Sequence, residues 1–304
     1  MFDLSLAPAY ATDAGRCYHA DSLDVLRELP KNSVALVMTS PPFALRRQKA
    51  YGNVEPSEYV EWLWPFAVEI HRVLRPDGSF VLDLGGAWNR GSGTRSLYPY
   101  ELILKLTQLF HLAQDFYWYN PSKLPTPAEW VTIRRTRVKD AVTTLWWLSK
   151  TESPNADNRR VLKPYSRSMK RLLRDGYDTA RRPSQHDIGP HFRRDNGGAI
   201  PPNLLQIPNT RSSDEYFRLC RNKGLPIHPA RFPNGVPEFF IRFLTDPGQL
   251  VVDPFAGSNV TGFEAEKLGR RWLSIEINAD YIAGSQLRFE PDQVKTSRID
   301  SAAA

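Results

Sequence analysis

Several ingredients are scarce in this chain, and each scarcity removes a class of protein. Two cysteines, Cys17 and Cys220, occur in 304 residues. That is too few for a disulfide framework, and they lack metal-ligand spacing, so a reducing cytoplasmic setting and no bound metal are expected. No apolar run approaches bilayer thickness, so no membrane partner is expected. Residues 1–12 lack the basic and apolar regions of a secretory leader. What is present is charge in one place. The chain carries a net +7, and residues 155–223 hold 15 Lys or Arg against seven Asp or Glu. All the net positive charge therefore sits in that segment, as a phosphate-contacting surface would require. A solvated linker is the competing reading. Interleaved Tyr165, Leu172, Leu173, Tyr177, Phe192, Tyr216 and Phe217 favour a folded insert within a chain long enough for one catalytic domain.

The chain is organised around Thr39-Ser40-Pro41-Pro42-Phe43, which ends the apolar run Val34–Met38. The run is short, uncharged and rich in large and branched residues, which predicts a fully buried strand. Two prolines then stop it, because neither donates an N–H. A stiff corner at a strand's carboxyl end is where open α/β sheets place ligands. A hydroxyl, proline carbonyls and a flat phenyl ring suit a planar base with an exocyclic amine.

A second stretch, Leu250–Gly262, reads as strand, carboxylate, small-residue loop and helix start; Arg271–Glu276 is another strand ending in an acid. Such a loop lets backbone approach a ligand, and the acid suits ribose hydroxyls. Together these stretches resemble the S-adenosylmethionine site of DNA amino-methyltransferases. Ser-Pro-Pro-Phe resembles the motif of the cytosine-N4 members, and its place before the cofactor motif resembles the permuted β-class order. Neither cysteine follows a proline as the nucleophile of cytosine-C5 enzymes does.

The resemblance implies an α/β, Rossmann-like methyltransferase fold with circularly permuted motif order and an inserted target-recognition region. The expected bounds are 13–154 and 224–290 for the catalytic domain, 155–223 for target recognition and 291–304 for a flexible tail. It implies catalytic roles for Ser40, Pro41, Pro42 and Phe43, with Asp83 behind the amine. S-adenosylmethionine would be held by Asp21, Thr39, Phe232, Pro233, Asp253, Phe255, Ala256, Gly257, Ser258, Asn259 and Glu276. Asp21 also reads as a helix cap, and Phe232 and Pro233 as core residues opening a helix. The loop departs from the family's frequent Gly-x-Gly form, having Gly257-Ser258-Asn259. The aromatics of 59–74 recur at helical spacing and read as core.

Duplex DNA is the expected partner, contacted by Arg46, Arg47, Lys49, Arg134, Arg135, Arg137, Arg159, Arg160, Arg181, Arg182, Arg193 and Arg194. A restriction endonuclease as functional partner and a homodimer are compatible with the resemblance. The implied reaction is methylation of N4 of a flipped cytosine. Adenine-N6 methylation is the alternative within the class; an RNA or small-molecule methyltransferase, or a DNA-binding protein with a decayed site, stands outside it.

Overall fold

The computed structural model of the chain describes residues 2, 4–44, 54–89, 91–176, 194–209 and 215–289. Arg46, Arg47, Lys49, Arg181, Arg182 and Arg193 lie outside the described residues, as does the segment 291–304. A central strand, β3 (Val34–Thr39), is buried along its whole length, as its unbroken apolar run predicts. On one side it pairs in parallel with β4 (Leu74–Leu84), on the other with β8 (Leu250–Asp253). Outward from β8 come β9 (Arg271–Glu276), β2 (Gly15–His19) and the short β1 (Tyr10–Ala11); outward from β4 come β6 (Val142–Ser149), β5 (His111–Tyr119) and β7 (Leu204–Gln206). The order is β1-β2-β9-β8-β3-β4-β6-β5-β7, parallel from β2 to β4 and antiparallel at β4–β6 and β5–β6.

Helices cover both faces. α1 (Ser22–Glu28), α2 (Tyr59–Val73) and α3 (Tyr98–Leu106) supply Leu26, Leu63, Ile70 and Leu102 to one core; α6 (Gly235–Leu244) and α7 (Val260–Lys267) supply Phe240, Ile241 and Ala265 to the other. Full burial of each such large side chain contributes about 1.5–3 kcal/mol. From β3 the chain crosses through α2 to β4, whereas from β8 it crosses through α7 to β9 on the opposite side. The connections diverge between β3 and β8, which opens a crevice at the carboxyl ends of these two strands. The motifs singled out from sequence end those very strands.

Two local differences from the sequence reading have physical causes. Leu74, within the helical spacing read over 59–74, begins β4 instead, and Arg75–Gly78 bulges out of that strand: Leu74 pairs with Val34 and Ser79 with Leu36. The described parts of 155–223 do not stand apart from the catalytic sheet. A single turn, Asn158–Val161, packs on α6, β7 adds an edge strand beside β5, and Tyr216 and Cys220 of α5 (Glu215–Asn222) are buried with Leu287. The excursion carrying α4 (Arg167–Asp175), closed by a bridge between Lys163 and Ala199, has a helix with no buried residue.

Candidate active site

The two motifs meet through a hydrogen bond. Thr39 Oγ1, at the tip of β3, donates to Asp253 Oδ1 at the tip of β8 over 2.6 Å. Asp253 Oδ2 accepts from Thr261 Oγ1 at 2.7 Å, and Oδ1 also accepts from the Phe255 N–H at 3.1 Å. Burial pushes its carboxyl up to about 6, against the pull of these bonds. Thr39 and Asp253 are thus a bolt between strands: Thr39 does not reach the cavity wall, while Asp253 does.

One residue on, Ser40 Oγ donates to Asp83 Oδ2 over 3.1 Å. Asp83, on β4, is 4% exposed, and its Oδ1 has no hydrogen-bond partner among the described residues. Desolvation pushes its carboxyl up to about 7; the Ser40 bond and the positive charge of Lys123 pull it down. An unpartnered buried carboxylate oxygen is costly; the residue that carries it lines a large cavity together with Ser40. Pro41, Pro42 and Phe43 line the same cavity. The Phe43 ring lies against Gly85, where a Cβ would overlap it, so the glycine at the end of β4 makes room for the ring.

The cavity holds about 620 Å³ and runs from Ser40 and Asp83 to the loop after β8. Its far part is lined by Asp21, Phe255, Ala256, Gly257, Ser258 and Glu276. Trp62 and Phe66 of α2 ring Phe255, with centroids 5.7 and 5.1 Å away. Gly257 has φ +52°, and a Cβ there would lie 2.9 Å from His228 Nε2. Only glycine suits a left-handed turn pressed against a ring. Glu276 accepts from the Gly257 N–H at 2.8 Å and the Asn278 N–H at 2.8 Å, and burial raises its carboxyl. Its remaining lone pairs are free for hydroxyl donors. Asp21 caps α1 through Leu23 N at 2.8 Å and also lines the cavity, so capping does not remove it from the cavity wall.

Asn259 has a different task from the one expected. It sits at φ +51°, a conformation asparagine tolerates, and does not line the cavity. Its Oδ1 caps α7 at Gly262 N, and its Nδ2 donates to Tyr10 Oη over 2.9 Å. It fills the left-handed place of a loop glycine and locks the loop. Phe232 lines the cavity, whereas Pro233 is buried behind it. Trp62 and Phe66, expected as core, are walls of the site, because one side of α2 borders the crevice. Trp118, Lys123, Thr143, Asn209, His228 and Arg231 also line it. They had no motif around them; topology alone assembles them.

The expected DNA contacts divide. Arg134 pairs with Glu129 at 2.7 Å and lies over Trp130. Arg137 lies 3.6 Å over Trp88 and donates to Gly93 O, tying two loops together beside the cavity. Arg135 and Arg194 are exposed. Arg159 pairs with Asp157, and Arg160 bonds Thr245 O and Asp246 at the carboxyl end of α6. That end precedes the start of β8, so both arginines lie at the opposite end of the sheet from the cavity. Among the described residues no cluster of His, Cys, Asp and Glu has the makings of a metal site.

The N6/N4-type DNA methylase family model matches residues 34–287. The type II methyltransferase M.PvuII of Proteus hauseri is 51% identical, over 98% of this chain and 90% of its own length. The DNA adenine methyltransferase YhdJ of Escherichia coli is 26% identical over 90% of this chain and 82% of its own. Among solved structures, PvuII DNA methyltransferase (cytosine-N4-specific) superposes with a TM-score of 0.79 at 46% identity, covering 96% of this chain and 92% of that one.

Proposed function

The chain belongs to the DNA methylase family, and we propose that it transfers a methyl group to N4 of a cytosine extruded from duplex DNA. The observation that carries this reading is the Ser40–Asp83 pair, two hydrogen-bonded residues that line a cavity continuous with the loop of Gly257 and Glu276. The residues present fit S-adenosylmethionine: a glycine turn open to close approach, acids for hydroxyls and an aromatic wall for adenine. Asp21, Phe232, Phe255, Gly257, Ser258 and Glu276 would hold it. Bound there, it supplies an electrophilic methyl on a positively charged sulfur, which keeps the carbon–sulfur electron pair on transfer.

The protein's own work is alignment. Conjugation with the ring keeps the amine lone pair out of reach. Ser40 Oγ and the Pro41 carbonyl accept the two N–H bonds and bias the nitrogen toward a pyramidal shape. Phe43, backed by Gly85, stacks on the base; a duplex base must leave the helix to be reached, and stacking returns about 1–3 kcal/mol. As the nitrogen–carbon bond forms, an N4 proton passes through Ser40 to Asp83. A carboxyl held near 7 accepts it at neutral pH and returns it to solvent afterwards. Orientation of this kind is worth roughly 7–11 kcal/mol.

A DNA substrate makes the cytoplasm the working compartment, and among the described residues no helix is long and apolar enough to cross a membrane. A partner endonuclease of matching specificity is the setting in which such a mark protects host DNA. Single-molecule sequencing of DNA from cells expressing the protein tests the reaction. N4-methylcytosine at one motif is the expected result; N6-methyladenine, or no mark, overturns it.

A further inference from the structure

The groups set against the amine are all acceptors: Ser40 Oγ, the Pro41 carbonyl and Asp83. Cytosine carries two acceptors of its own, N3 beside the amine and the carbonyl O2 beyond. Buried without donors they cost free energy, so the base side of the cavity needs a donor opposite the acceptor set. Lys123 is there. It lines the cavity, and its charge acts on Asp83. Its ammonium is engaged by no hydrogen bond or ion pair among the described residues. Arg231, the other cation on the wall, lies over Phe217 and Tyr216.

The turn carrying Lys123 is built rather than loose. It follows β5 at the carboxyl end of the sheet, with Lys123 N bonded to Asn120 O at 3.2 Å. Asn120 Oδ1 accepts from Ser122 N at 3.1 Å and from Asn209 N at 3.3 Å. Lys139 Nζ donates to the carbonyls of Pro121, at 3.3 Å, and Lys123, at 3.1 Å. The backbone of Lys123 is thus fixed from three sides while its side chain faces the cavity. The turn thereby fixes the foot of the side chain, so only the side chain itself has to be ordered when the ammonium engages a ligand.

We propose that Lys123 reads the acceptor edge of the extruded base, donating from its ammonium to the carbonyl O2 of cytosine. The inference rests on the cytosine-N4 reading and adds a source of base choice. An adenine seated by its amine offers N1 beside that amine, but a C–H where cytosine has its carbonyl. A cation placed for the carbonyl therefore favours cytosine.

The test uses the full chain, with Lys123→Met and Lys123→Arg beside wild type. Duplexes with cytosine or adenine at the target position are compared for Kd and kcat/KM, and S-adenosylmethionine binding is measured by calorimetry. Lys123→Met is expected to lower kcat/KM on cytosine roughly 10- to 100-fold, the range of a hydrogen bond to a charged group. It should also raise the ratio of the cytosine Kd to the adenine Kd at least about tenfold, with cofactor affinity unchanged and Lys123→Arg keeping most of the preference. Equal losses on both bases, or an unchanged ratio, overturn the proposal. Wild type that methylates adenine alone removes the reading on which it rests, a result distinct from an unchanged ratio in an enzyme that makes N4-methylcytosine.

Discussion

At the scale of single residues, Asp83 concentrates the conflict between folding and function. Burial holds its carboxyl near 7, against an ordinary 3.8. The folded chain therefore binds this proton more tightly than the unfolded one. The stability this lends is complete below about pH 4 and is lost as pH rises through about 7. Asp83→Asn removes that loss, so at pH 8 it should stabilise the fold by up to about 4 kcal/mol, seen as a higher denaturation midpoint. The same change removes the proton acceptor and should lower kcat about 10²- to 10⁴-fold. Wild-type kcat/KM should climb with pH up to about 7 and then level, an arm that Asp83→Asn lacks. Ser40 alone was a weak signal, because a Pro-Pro after a strand is most often only a turn; the cofactor-like stretch at Leu250–Gly262 gave it meaning. Asp83 by itself reads like any strand aspartate, and the resemblance placed it behind the amine. Lys123 was not legible at all, because nothing in its local sequence says that a turn after β5 faces a crevice between β3 and β8.

At the scale of elements, strands and helices announced themselves by their apolar period, and their ends by Pro, Gly and capping residues. The basic segment did not reveal its use so readily. A charge count treats Arg160 and Arg194 alike, yet Arg160 is fastened to Thr245 and Asp246 at the far end of the sheet. Arg137 is likewise occupied, holding the Trp88 and Gly93 loop to its neighbour. Counting charge finds a surface but not which cations are already spent inside the fold. Arg135, exposed and in no ion pair with a described residue, is the better candidate for phosphate contact. Removing one phosphate contact lowers the slope of log affinity against log salt by about 0.9. Arg135→Ala should show that decrease in duplex binding. Arg160→Ala should leave the slope alone and lower the melting temperature by about 2–4 °C, through its lost buried bonds.

At the scale of the whole molecule, the permuted order of motifs has a simple spatial reading. The base-binding corner comes early in the chain and the cofactor loop late, but β3 and β8 are neighbours, and Thr39 and Asp253 bond across them. A sheet that reverses its connections at that point places two pockets side by side, whatever the order in which the chain visits them. On this reading a cytosine and a methyl donor share one continuous cavity, with the amine on Ser40 and Pro41. The decisive measurement is a crystal structure of the enzyme with a cytosine-containing target duplex and a non-transferable amine analogue of S-adenosylmethionine. N4 is expected within hydrogen-bond reach of Ser40 Oγ and the Pro41 carbonyl, and about 3–3.5 Å from the group replacing the methyl. An extruded base seated elsewhere, with Ser40 and Asp83 bonded only to each other, would contradict it.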